Sequence, residues 1–384
     1  MSEATLREIP AERFEARLAA SRVAIAERSL AALLLSVGPD LRYLTGFVGE
    51  PMERLTLLLV PRDGPASFVV PRLEAQKAAA SPLVATGAAR AVPFDETADA
   101  AALVAELLRP QATAPIGVSD RMWSTHLLQL QTALPGQRFE SASTVMRGLR
   151  QVKDADEARL LALAAAAADR TIDAVSAGRL AGRTEADVSR EIRRRLIDEG
   201  HDLADFAIVG SGPNSASPHH DAGARVIRAG EPVVLDIGGT LAGYVSDTTR
   251  TVWIAGEAGI APEPEFVRVY DVVREAQARA TQAVRPGVPA QQIDATARAV
   301  IAAAGYADFF THRLGHGIGL DVHEDPYMVA GNSTPLESGM AFSVEPGVYL
   351  PGRWGIRLEN IVICSDRGAD VLNRSSLDLR VVRG

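Results

Sequence analysis

The feature that most limits how this chain can fold is a pattern that occurs twice. The stretches "EPVVLDIGGTLAGYVSDTTRTVWI" and "GMAFSVEPGVYLPGRWGIRLENIVI" each hold two β-prone runs and read as long hairpins, the second with "PGRWG" near its bend. Each follows two helical segments. The first pair is "DADEARLLALAAAAADRTIDAVSAG" and "RTEADVSREIRRRLIDEG"; the second is "EPEFVRVYDVVREAQARATQAV" and "PAQQIDATARAVIAAAG". Asp154 is placed to cap the first helix, and Thr184 with Asp187 has the form of a capping box. A helix pair plus a hairpin, repeated, reads as an internal duplication.

Each predicted hairpin carries two acids. Asp236 closes "PVVL" and Glu345 closes "AFSV", so both end runs that should be buried; Asp247 and Glu359 lie on the returning strands. A carboxylate in such surroundings is costly unless it is paired or holds a metal. Any single one could be a turn aspartate or an arginine's partner. Four at matched places weigh against that, and between them lies "THRLGHGIGLDVHEDPY" with His312, His316 and His323. Two adjacent divalent cations need carboxylates to offset their repulsion and can ionise a shared water near neutral pH. Oxygen ligands with an imidazole suit Mn, Co, Fe or Zn better than Ca or Mg. The glycines of "LGHGIGLD" lack dinucleotide-fingerprint spacing; they suit close backbone approach or positive φ.

Residues 1–149 alternate differently. "ERFEARLAASRVAIAERSL" has helical spacing, while "AALLLSV", "RLTLLLVPRDG", "ASFVVP" and "APIGVSD" read as strands; "ETADAAALVAELLRP" is a helix that Pro110 stops. This predicts a separate α/β domain, with the second domain spanning 150–384. At 384 residues two domains are the default. A net charge of −8 argues against a nucleic-acid partner, and "REIRRRLIDEG" interleaves acids at helical spacing like a solvated helix face. The apolar runs fall far below the ~20 residues that cross a bilayer. The polar amino terminus and the lone Cys364, read as a small core residue, favour a cytoplasmic protein.

The blocks "SGPNSASPHH", "LDIGGTLAGYVSDTTRT", "HRLGHGIGLDVHEDPY", "FSVEPGVY" and "GIRLEN" resemble, in order, those of the creatinase/methionine-aminopeptidase superfamily, above all Xaa-Pro dipeptidases (prolidases) and aminopeptidase P. "GPDLRYLTGF" resembles the family's amino-terminal domain. The resemblance implies a pita-bread catalytic domain with pseudo-twofold halves, an α/β (α+β) fold, behind a smaller creatinase-like domain for dimerisation and substrate capping. It implies two divalent metal ions per chain, Mn first, held by Asp236, Asp247, His316, Glu345 and Glu359, with Asp247 and Glu359 bridging. His219, His312 and His323 would hold substrate and intermediate, and Glu345 would shuttle the proton. Arg357 could support the carboxylates or bind the substrate's terminal carboxylate. His220 should point away from His219 in an extended segment and be structural, whereas His126 and His201 lie outside every block and are expected to be ordinary surface histidines. The implied activity is hydrolysis, by a metal-bridging hydroxide, of the bond before proline in small peptides, by a homodimer. Alternatives are aminopeptidase P activity on longer peptides, or a non-peptidase hydrolase or lyase.

Overall fold

The computed structural model describes residues 7–108 and 114–383. They form two compact units, residues 8–150 and residues 151–383 together with Arg7.

The first unit runs α1 (Ala11–Glu27), β1 (Ala32–Ser36), α2 (Pro39–Thr45), β2 (Leu57–Pro61), β3 (Ala66–Pro71), α3 (Ala75–Ala79), α4 (Pro82–Ala85), β4 (Ala89–Phe94), α5 (Ala100–Leu108), β5 (Ile116–Val118), α6 (Ser124–Ala133), β6 (Phe139–Ser141) and α7 (Ser143–Arg150). Its strands make one mixed sheet in the order β4-β3-β2-β1-β5-β6. Every residue of β1 and β3 is buried, which is why these strands read as unbroken apolar runs. Leu34, Leu59, Val69, Val104 and Leu130 share its core. The expected stop at Pro110 lies outside the described residues.

In the second unit α8 (Ala155–Ala177) and α9 (Glu185–Asp198) precede β7 (Leu203–Ser211), β8 (Glu231–Leu241) and β9 (Tyr244–Ile254). Asp154 and Thr184 both form complete capping boxes, with Glu157 and Asp187 respectively. Such a cap is worth about 1 kcal/mol. Ile172, Val188 and Ile192 on the helices pack against Val209, Val233 and Val252 on the strands. The arginine-rich face of α9 is laced with ion pairs, among them Arg195–Glu191 at 2.7 Å and Arg194–Asp198 at 3.5 Å.

The same plan then repeats. Helices α10 (Pro264–Ala283) and α11 (Ala290–Ala303) lead into β10 (Gly315–Gly317), β11 (Glu324–Met328), β12 (Ala341–Val344), β13 (Gly347–Leu350), β14 (Trp354–Arg357), β15 (Asn360–Ser365), β16 (Gly368–Val371) and β17 (Arg380–Val382). Phe266, Val269 and Ile293 pack on Phe342, Val344 and Val362. One sheet is ordered β17-β9-β8-β7 and the other β11-β10-β12-β15-β16.

The first predicted hairpin is continuous, turning at Ala242 and Gly243, both with positive φ. The second is not. β12 pairs with β15, whereas β13 and β14 leave the sheet as a ribbon of their own. The break falls where Glu345 and Pro346 face Leu358 and Glu359; proline has no N–H to continue a ladder. His126 and His201, expected at the surface, are both buried. Their polar neighbours explain this: His126 Nε2 reaches the Met52 carbonyl, and His201 bonds the Leu196 carbonyl and Ser246 Oγ. Cys364 is a buried core residue. Among the described residues no helix is long and apolar enough to cross a membrane.

Candidate metal centre

Strand register places the acids. Asp236 on β8 faces Thr249 on β9, and Asp247 on β9 faces Gly238, so the two carboxylates are diagonal neighbours on one face. His316 lies at the middle of β10 between two glycines. A Cβ on Gly315 would come 1.9 Å from the Ser343 carbonyl oxygen, and one on Gly317 2.2 Å from that of Asp325. Neither has positive φ, so close strand approach is what requires glycine here. Glu345 and Glu359 occupy the break in the second hairpin, where the strands part and both side chains turn to the centre.

The five residues converge. His316 Nε2 is 3.2 Å from Glu345 Oε1 and 3.5 Å from Asp247 Oδ2. Asp247, His316 and Glu359 each offer a ligand atom, all within 4.8 Å of one another. His316 Nδ1 donates to the Gly317 carbonyl at 3.1 Å, which turns Nε2 onto the carboxylates. Glu345 Oε1 also accepts from Ser343 Oγ at 2.9 Å. The group lies in a cavity of about 750 Å³ with Phe206, Ile208, Pro218 and Val322 among its walls.

Burial, and then the charge of neighbouring acids, raises the pKa of Asp247 and of Glu359 above the carboxylate range. Burial would raise Glu345 as well, but His316, His312 and Arg357 bring it below that range. His316 is raised by Asp247 and Glu345 against its own burial. The cluster therefore carries more negative charge than its cations offset. Asp236 Oδ1 and Glu359 Oε1 are buried without a hydrogen-bond partner among the described residues. Buried orphan carboxylate oxygens, beside an imidazole aimed at the same point, fit divalent cations.

The remaining predicted residues are distributed around this floor. His219, His312 and His323 line the cavity. His323 stands edge-on to His316 with ring centroids 4.2 Å apart; desolvation, then His316, lowers its pKa to about 4. His312 Nδ1 donates to the Arg313 carbonyl at 2.7 Å, so Nε2 accepts from the Tyr349 hydroxyl at 2.8 Å. Arg357 lines the cavity but is 3% exposed and committed to protein atoms: Asp236 Oδ2, Tyr349 Oη, Thr249 Oγ1 and the Pro218 carbonyl. His220 points away to Glu185, 2.8 Å distant.

Sequence reasoning missed several partners. Tyr349 links His312 to Arg357, although its block was read. Arg250 grips the Glu359 carbonyl and, at 2.8 Å, Asn360 Oδ1. Glu185, wholly buried in the first turn of α9, accepts from Ser211, Asn214 and His220 and so anchors the segment that carries His219. Only its place in a helix cap was visible in sequence.

The sequence model of metallopeptidase family M24 matches residues 159–366, and that of the creatinase/prolidase N-terminal domain matches residues 17–152. The chain belongs to metallopeptidase family M24. Among its M24 relatives, "Probable dipeptidase PepE" of Mycobacterium tuberculosis is 45% identical over 379 residues, 98% of each chain. Dipeptidase PepE from Mycobacterium ulcerans superposes with a TM-score of 0.91 at 45% identity, over 98% of this chain and 100% of that one. The prolidase from Thermococcus sibiricus does so at 0.88 and 32%, with the same coverage. An X-Pro aminopeptidase from Thermotoga maritima reaches 0.80 at 28%, over 94% and 100%. The mixed α/β architecture, a creatinase-like domain before the M24 domain, matches that of the prolidase structure.

Proposed function

We propose that this M24 peptidase is a metal-dependent dipeptidase that cleaves the bond before proline in Xaa-Pro dipeptides. One observation carries the reading: two buried carboxylate oxygens without partners, on Asp236 and Glu359, border a cavity with His316, Asp247 and Glu345. The names of the PepE relatives support the dipeptidase part, and the prolidase supports the preference for proline.

Asp236, Asp247, His316, Glu345 and Glu359 would hold two divalent cations, with Mn the best match to mixed oxygen and imidazole donors and Co, Zn or Fe the alternatives. Bound there, the cations would acidify a water toward a pKa of ~7 and polarise the scissile carbonyl. Glu345 takes the water's proton and passes it to the proline nitrogen, which leaves only once protonated. His323, neutral at physiological pH, and His219 present N–H donors to the developing oxyanion. His312, neutral and fixed by Tyr349, holds the substrate side of the site. Phe206, Ile208 and Val322 give the proline ring an apolar wall. The buried, unpaired Cys364 supports a reducing, cytoplasmic location.

The test is a metal count on protein purified without chelator, followed by turnover of Ala-Pro, Ala-Leu and Ala-Pro-Ala. Ala-Pro should be cleaved fastest. A preference for Ala-Pro-Ala would move the assignment to aminopeptidase P. Fewer than one metal per chain, with no activity restored by Mn or Co, would sink it.

A further inference from the structure

A dipeptide brings a carboxylate into the cavity along with its scissile bond. With its four acids and two cations in formal balance, the floor leaves that group no spare positive charge, and an unpaired buried carboxylate is strongly disfavoured. A dipeptidase therefore needs a cation on the cavity wall that is not already neutralised. Arg357 does not qualify, since its guanidinium is bound to Asp236, Tyr349, Thr249 and Pro218.

Arg313 does. It lines the same cavity and is half-buried. Among the described residues its guanidinium has neither an ion pair nor a hydrogen bond; its one contact is the ring of Tyr327, with Cζ 4.4 Å from the centroid. Stacking uses the flat face of a guanidinium and leaves its in-plane N–H donors free. The ring thus steadies the fork without consuming its donors. Arg313 lies three residues before His316, so the two backbones are at most about 11 Å apart. That distance is within reach of a dipeptide whose scissile bond lies at the His316 centre. The Arg313 carbonyl also receives the His312 Nδ1 donation, so the segment's path is fixed.

We infer that Arg313, held over the Tyr327 ring, is the residue that binds the carboxylate terminus of the substrate and thereby selects dipeptides over longer peptides. A planar fork meets a carboxylate with two parallel hydrogen bonds, which neither an amide nor a continuing peptide bond can match. The inference rests on the peptidase reading above and deepens it.

The experiment compares Ala-Pro with Ala-Pro amide on the metal-loaded wild-type protein, Arg313→Met and Arg313→Lys. Ligand-observed NMR reads binding of the same pair to metal-free protein. Wild type should favour the acid over the amide in kcat/KM and in affinity by roughly ten- to hundredfold, the value of a charge-assisted hydrogen bond. Arg313→Met should collapse that ratio towards one through KM, with metal stoichiometry and melting temperature retained. Arg313→Lys should recover part of it. No acid preference in wild type, or a preference that persists in Arg313→Met, overturns the inference. An acid preference in binding that Arg313→Met abolishes, without any cleavage, leaves the inference standing and overturns the peptidase reading alone.

Discussion

Thr249 and Glu359 are joined twice: the Glu359 N–H donates to the Thr249 carbonyl at 3.1 Å, and Thr249 Oγ1 donates to Glu359 Oε2 at 2.7 Å. One residue belongs to the hairpin of the first half and the other to the break in the second. The hydroxyl leaves Glu359 with a single orphan oxygen, Oε1, which fixes the direction in which that carboxylate can act.

Replacing Thr249 with Val should therefore weaken metal binding by about 10- to 100-fold, the usual effect of removing a partner that orients a ligand. Thr249→Ser keeps the hydroxyl and should stay near wild type. Calorimetric titration with Mn separates the two.

Glu345→Gln cannot take up and release the proton that the mechanism requires. The expected loss in kcat on Ala-Pro is roughly 10²- to 10⁴-fold. Near-normal turnover in this variant would remove Glu345 from the proton path.

Chelation should lower the melting temperature, because the buried carboxylates lose the cations that balance them. Restoring Mn to 100 times its Kd adds about 2.7 kcal/mol of stability. Scanning calorimetry with and without chelator checks this; unchanged melting would count against a metal centre.

His201 supplies a pH dependence of stability. Burial holds its folded-state pKa below 6.5, against the pull of Leu196, Asp205 and Asp202. The unfolded chain then takes up the proton first. The associated stability is fully present above about pH 6.5 and is lost as pH falls towards the depressed folded value. His201→Gln should flatten that loss between about pH 7 and pH 5 in urea midpoints.

Much of the fold was readable because its elements declare themselves locally. The capping boxes at Asp154 and Thr184 mark helix starts by side chains three residues apart. The all-buried strands β1 and β3 are continuous apolar runs. Asp236 and Glu345 stood out because acids rarely end such runs, and Asp247 and Glu359 because they lie at matched places on the returning strands. What escaped notice depends on contacts between distant segments. Tyr349 and Thr249 look like ordinary strand residues until Arg357 and Glu359 are placed beside them. The burial of His126 and His201 follows from carbonyls on other elements. The interruption of the second hairpin needed Pro346 to be read as a ladder breaker between two strands that still run side by side.

Because the carboxylate cluster draws on β8 and β9 at one end and on Glu345 and Glu359 at the other, no fragment that stops short of residue 359 contains it whole. A polypeptide emerging from the ribosome stays without this cluster until residue 359 has been added and folded back against Thr249. Half-made copies lack the full set of acids.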